Sequence, residues 1–374
     1  MPRKARKKKA AADAPPSPIE FKQLSRYVKA RDALTTAPSV PLEFSLYIAG
    51  AEPRARVEAV GAKDGSVRVN LAVQGARLGQ HAFPPSIEVR RLPDTRKLMS
   101  SSAYRELVEG SFPDHLGLRT APERLARALQ VPPRIDALRK YRKGENQATT
   151  VFAPENRYIF NDTNFPWCTT GRIDTAGGQG SGVIIGPRHV LTVSHAMVWN
   201  SDGTAGWVKF TPSYFNGSAP FGIAWGVLVY FEVKVVGPGI DNNEGRHDYV
   251  VVVLDRRMGD LTGWMGSRTY SDSWDGGTYW SHIGYPGDLS GGERPSFEGS
   301  IALDGTDDPE EHQNILHRGD VWPGQSGGPF FGWWSGEPWP RVVSVQSWQN
   351  SSDNGASGGR HMVDLVIRAR NENP

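Results

Sequence analysis

Cysteine is almost missing from this chain. Cys168 is the only one among 374 residues, so no intrachain disulfide can form and nothing demands an oxidising compartment. Cys168 reads as a small buried apolar residue, and a single cysteine with scattered histidines excludes a zinc-finger type of site, so no metal or cofactor is expected. No apolar run approaches the ~20 residues of a membrane helix. The basic start, "MPRKARKKKAAADAPPSP", has no apolar core of the kind a secretory signal carries, which makes the cytoplasm the default expectation. There is no internal repeat, and no alternation of strands with long helices that would indicate a doubly wound sheet.

Excess charge of one sign is also lacking outside the first nine positions. Arg3, Lys4, Arg6, Lys7, Lys8 and Lys9 lie there; without them 37 of the 43 Lys and Arg remain against 40 Asp and Glu. The run reads as a solvated tail, residues 1–18, with contact to nucleic acid or an anionic surface as its alternative reading.

Turn formers are plentiful, with 42 glycines and 28 prolines. Residues 19–145 read as a smaller α+β extension. Alternating segments such as "SVRVNLAVQG" and "SIEVRRL" come first, then short amphipathic helices around Leu125, Leu129 and Leu138, broken by Pro132-Pro133. "RKYRKGENQ" is an exposed linker and a candidate for processing, so the extension could be a propeptide or a regulatory unit. From about residue 146 to 374, strand-like runs dominate: "GSGVIIG", "HVLTVSH", "GVLVYFEVKVVG", "DYVVVVL", "VVSVQSW" and "MVDLVIRA". Many short strands with turn punctuation predict an all-β barrel or sandwich.

Within that region, "GDVWPGQSGGP" holds Ser326 between glycines. A serine nucleophile needs a base and a group that orients the base. His195 follows a strand in "GPRHVLTVSHAM", and Asp248 stands at the mouth of the apolar strand in "HDYVVVVLD". Each alone is more often structural. Together they run His, Asp, Ser, each at a strand edge, the chain order of one of the known triad types. The rival G-x-S-x-G elbow requires its acid and histidine after the serine. Only His361, with Asp353 and Asp364, follows Ser326, and "GGPFFGWW" looks extended rather than helical. Among neighbours, His247 adjoins Asp248 but points to the other face of a strand, His317 reads as pocket lining or structural, and Ser181 in "GQGSGV" has no evident partners.

These blocks, with "ENRYIFNDTNFPWCTTGRI" and "HIGYPGDLSGGERPSFEGSI", resemble the trypsin/chymotrypsin-like serine peptidases, and within them the glutamyl endopeptidase-like bacterial and fungal branch. The resemblance runs from about Pro154 to the C-terminus. It implies a mainly β fold, a double six-stranded antiparallel β-barrel behind the extension. It implies a serine endopeptidase acting on peptide or protein substrates, with His195 as general base, Asp248 as its orienter and Ser326 as nucleophile. Backbone N–H groups of Gly324 and Ser326 then face the oxyanion, and Asp320, Gln346, Ser347 and Trp348 fall at substrate-binding positions. Asp320 stands where trypsin-like enzymes pair a substrate cation, although the glutamyl endopeptidase branch often carries Asp there too. Gln346 replaces the histidine of acid-specific members, and Ala196 replaces a disulfide cysteine of many secreted ones. No Ile-Val-Gly-Gly start for activation by a new amino terminus is present. The reading from a different class is a non-catalytic binding protein that reuses the fold.

Overall fold

The computed structural model describes residues 15–32, 54–61, 67–74, 86–92, 107–125, 151–237, 239–305, 311–350 and 352–374. Most of the basic tail, the helices expected beyond Leu125 and the "RKYRKGENQ" linker lie outside the described residues. Strands β1 (Arg54–Gly61) and β2 (Val67–Gln74) pair antiparallel and form a unit of their own.

The first large sheet is built from β6 (Thr170–Thr175), β7 (Gly178–Gly186), β8 (His189–Thr192), β9 (Val208–Pro212), β10 (Ala224–Phe231) and β11 (Val250–Leu254). Their pairings close on themselves, because β11 bonds both β8 and β10, giving a six-stranded barrel. Strand β3 (Glu88–Arg91), from the expected N-terminal extension, adds to this sheet parallel to β10. The second sheet runs in the order β15 (Leu303–Asp304), β16 (Gln313–His317), β19 (Asn354–Gly358), β18 (Arg341–Gln349), β17 (Pro329–Gly332), β13 (Trp280–Gly284), β14 (Ser296–Ile301) and β5 (Tyr158–Ile159). Strand β12 (Gly266–Arg268) joins β18 to β4 (Leu107–Val108), again a piece of the extension. The architecture is therefore the expected double barrel, with the first barrel closed and the second an open, ten-stranded sheet in which eight strands follow one path and β12 and β4 branch from it.

Strand periodicity sorts the apolar side chains between cores. In β11, Val250, Val252 and Leu254 pack with Ile173, Ile184 and Phe210 in one core. Val251 and Val253 lie on the opposite face and join Val342, Val345, Phe331 and the C-terminal helix in another. A strand buried on both faces needs this continuous valine run, whose branched Cβ also favours extended backbone. A third core is aromatic: Tyr270, Trp274, Trp280 and Trp334 pack edge-on or tilted around Ile315 and Val343.

One element corrects the sequence reading. "MVDLVIRA", expected as a strand, lies in a helix, Arg360–Glu372. Met362, Leu365, Val366 and Ala369 are all buried and follow the three-and-four spacing of one helix face, a period that the β-branched composition disguised. Ile19, Leu24 and Val28 pack with Leu116, Leu118, Phe165, Cys168 and Trp333. Segments from before residue 125 are thus part of the hydrophobic core around the barrels. Cys168 is fully buried, its thiol directed at the Thr262 carbonyl 3.2 Å away, and burial pushes its pKa well above the ordinary value.

Candidate active site

The antiparallel pair β8–β11 sets Thr192 opposite Val250, so the chain leaving β8 and the chain entering β11 meet at one end of the barrel. His195 lies in a short turn, Ser194–Ala196, just past that end. The buried Ser194 hydroxyl holds the turn, donating to the Val233 carbonyl and accepting from the Val235 N–H. Asp248 is fully buried two residues before β11. One carboxylate oxygen accepts the His195 backbone N–H at 2.9 Å, and the other lies 2.6 Å from His195 Nδ1. A third donor, the Ser347 hydroxyl on β18, reaches that second oxygen at 2.6 Å.

These contacts decide the charges. Burial opposes ionisation of both groups, but the pairing outweighs it. The His195 pKa is held above its ordinary value, and Asp248, with Ser347 also donating, is held below its own. With Nδ1 donating to Asp248, the other ring nitrogen is left bare to act as an acceptor.

Ser326 lies on the wall of the same cleft as His195, a concavity of about 440 Å³ that also includes Gln179, Trp199 and Val236. Its loop is held by the first barrel and by β18 together. Gly327 N–H donates to the Gln346 carbonyl and Gln346 N–H to the Gly328 carbonyl. Gly324 (φ +103°) and Gly327 (φ +83°) take a backbone conformation that L side chains rarely adopt. A Cβ on Gly327 would come within 2.2 Å of the Ser181 carbonyl and the Thr192 hydroxyl. The N–H groups of Gln325, Gly327 and Gly328 are all taken by internal carbonyls. Those of Gly324 and Ser326 have no backbone acceptor among the described residues.

Two supporting residues were not legible. Ser181, with no evident partner in the sequence, is fully buried on β7 and clasps the loop. Its N–H donates to the Ser326 carbonyl at 2.7 Å, its hydroxyl donates to the Gly324 carbonyl at 2.8 Å, and the hydroxyl accepts from the Tyr285 N–H. Arg157, whose side chain is 0% exposed, chelates Glu155 and Asp288 and donates to the Gln325 side-chain carbonyl at 2.7 Å. Gln325 immediately precedes Ser326, and the same oxygen also accepts the Trp322 N–H. No sequence signal connects residues 157 and 325.

The expected substrate-binding residues are spread over different surroundings. Asp320 is fully buried, and its two oxygens accept backbone N–H groups of Phe152 and Asn156, each at 2.7 Å. It fastens the entry segment to the second barrel. Gln346 is buried and accepts from His317 Nε2 at 2.8 Å, while the His317 ring packs tilted against Phe330 with centroids 4.5 Å apart. Burial lowers the His317 pKa to about 4, leaving it neutral. Trp348 is partly buried, donates to Asn314 and covers Gly355. His247, next to Asp248, packs against His312.

A closed first barrel and a second curled sheet give a chymotrypsin-like architecture, in which a His–Asp pair stands across a cleft from a glycine-walled serine. The chain is 29% identical over 184 residues to a glutamyl endopeptidase of Bacillus licheniformis, which it matches over 49% of its own length and 54% of that protein's. It therefore spans about half the length of that relative. Among solved structures it is similar to a Glu endopeptidase in complex with MPD (TM-score 0.49, 21% identity, 59% of this chain and 100% of that one). It is also similar to the thermostable serine protease AL20 from an extremophilic microorganism (TM-score 0.43, 20% identity, 55% and 99%). No family model matches the chain. The sequence similarity is thus to a glutamyl endopeptidase, over about half of each chain.

Proposed function

We propose that this protein is a serine endopeptidase that cleaves peptide bonds through an acyl-enzyme. The observation that carries the reading is the His195–Asp248 pair at 2.6 Å, across one cleft from Ser326. In this reading His195 takes the Ser326 hydroxyl proton as the oxygen attacks the scissile carbonyl, and then gives it to the departing amine. Water then attacks the acyl carbonyl while His195 takes its proton, and His195 returns that proton to Ser326 Oγ as the C–O bond to Ser326 breaks and the acid leaves. Asp248 holds the ring in the tautomer that leaves its outer nitrogen bare and stabilises the imidazolium. The N–H groups of Gly324 and Ser326 hold the oxyanion, where one such donor is worth ~2.7–4 kcal/mol of transition-state stabilisation. Asp320 has an anchoring role, because both its oxygens already accept backbone N–H groups. Ser347 supports Asp248 through its hydroxyl. Gln346 and Trp348 remain the candidate contacts to substrate.

A fluorophosphonate probe tests the proposal together with a peptide library. Labelling of the wild type that disappears in Ser326→Ala, with cleavage falling roughly 10⁴-fold or more, is the expected result. A folded wild type that neither labels nor cleaves, with or without a cut in residues 126–150, leaves a binding protein on a peptidase fold.

A further inference from the structure

A cluster of imidazoles that the triad does not use gathers near the entry to β11, beside Asp248. Glu232 lies just past β10, His247 just before Asp248 and His312 just before β16. One ligand atom from each of these three lies within 4.8 Å of the others. The His247 and His312 rings are 4.3 Å apart at their centroids, and those of His312 and His361 3.8 Å. Packed, tilted rings of this kind crowd ring nitrogens together around one carboxylate.

We propose that Glu232, His247 and His312 form a zinc site that clamps the first barrel to the second behind the catalytic aspartate. Two imidazoles and a carboxylate are a common three-ligand set for Zn²⁺, whose fourth position takes water. A tetrahedral ion with bonds of about 2.0–2.1 Å sets its ligand atoms roughly 3.4 Å apart. Glu232 Oε1 and His312 Nε2 already stand 3.4 Å apart.

The surroundings orient the ligands. The buried Tyr249 hydroxyl donates to Glu232 Oε2 at 2.7 Å and lies 3.3 Å from His312 Nδ1. With its proton given to Glu232, the Tyr249 oxygen accepts from His312 Nδ1–H, which leaves His312 Nε2 bare for a metal. His361 Nδ1, 3.0 Å from Glu232 Oε1, steadies the carboxylate from the start of the C-terminal helix. His247 Nδ1 is buried without a hydrogen-bond partner among the described residues. Two further acid and base groups bear on the cluster. Arg246 opposes positive charge on His247 and His312, whereas the Asp364 carboxylate near His361 and Glu232 favours a cation. Residues 247, 312 and 361 are scattered in sequence and adjacent in space.

The test uses the full chain, stripped with chelator, in a His195→Ala background so that the catalytic ring cannot compete. Zinc is titrated calorimetrically, and cobalt(II) serves as the visible reporter of tetrahedral coordination. One ion per chain, a rise in melting temperature with zinc, and at least 100-fold weaker binding in His247→Gln and in His312→Gln are expected. Tyr249→Phe keeps the packing and should weaken binding 10–100-fold. If either histidine variant fails to fold, Tyr249→Phe and the cobalt spectrum of the parent decide. A zinc Kd weaker than about 1 mM, stoichiometric binding untouched by these substitutions, or an octahedral cobalt spectrum overturns the proposal.

Discussion

Replacing Arg157 by Met removes the guanidinium and keeps much of the apolar stem. The side chain is fully buried, and its charge is shared by Glu155 at 2.7 Å and Asp288 at 2.6 Å, with Gln325 as a third acceptor. Glu155 is 37% exposed and can be rehydrated, so little of its loss counts. Asp288, 20% exposed, is left as a largely desolvated carboxylate without its cation. Removing one partner of a buried pair costs about 3–5 kcal/mol, and the partial exposure puts this case near the lower end, ~3 kcal/mol. At that size Tm falls by roughly 6–12 °C.

The effect on catalysis is smaller but distinct. Gln325 keeps its two links to Trp322, so the loop loosens without collapsing. A displacement of Ser326 by a fraction of an ångström costs roughly 10–100-fold in kcat, with KM much less affected. Active-site titration with the fluorophosphonate gives the concentration of competent enzyme. Urea unfolding and kcat per titrated site then separate stability from positioning. Arg157→Lys retains the charge as a single point donor instead of a planar fork, so it should fall between the two. A Met variant with the wild-type unfolding midpoint and wild-type kcat per site would refute the link from the entry segment to the nucleophile loop.

Two other perturbations follow from the titrating groups. Because Asp248 holds the His195 pKa above its ordinary 6.5, the acid limb of kcat/KM should have an apparent pKa above that value. The stabilisation from the charged pair is present below 6.5 and is lost as pH rises through the folded pKa. Asp248→Asn should lower kcat by about 10⁴-fold and move the limb downward; an unmoved limb would separate Asp248 from the base. Glu298, buried and next to Asp320, is pushed up to about 8 from its ordinary 4.5, chiefly by burial and then by the Asp320 charge. The folded state thus keeps a proton that the unfolded chain has released, and stability falls between pH 4.5 and 8 by several kcal/mol, on the order of 4. Glu298→Gln keeps an oxygen for the Asp320 N–H and should remove that fall. Unfolding midpoints at pH 5 and pH 8.5 measure it, and a pH-independent difference from wild type would count against a retained proton.

Much of the architecture was legible because its signals are local. Alternation and turn residues announced β7, β8, β10, β11 and β18. The C-terminal helix was misread because Val363, Val366 and Ile367 carry a strand-like composition, while the packing that decides it comes from β11 and β18. The extension showed the same limit: "SIEVRRL" was visible as a strand, but its partner, β10, was not. At the site, residue type and order were enough to nominate His195, Asp248 and Ser326.

Sequence by itself determined which groups can react, since nucleophile, base and acid are chemical identities carried by single residues. Only the tertiary structure decided what holds them and what surrounds them. Ser181 reaches the Ser326 loop from another strand, and Arg157 reaches Gln325 across 168 positions of chain. Asp320 is occupied by backbone donors, and three remote histidines share one neighbourhood. Such partnerships rest on long-range contacts between barrels, where hydrogen bonds and desolvation depend on distance in space and leave no period or spacing in the chain.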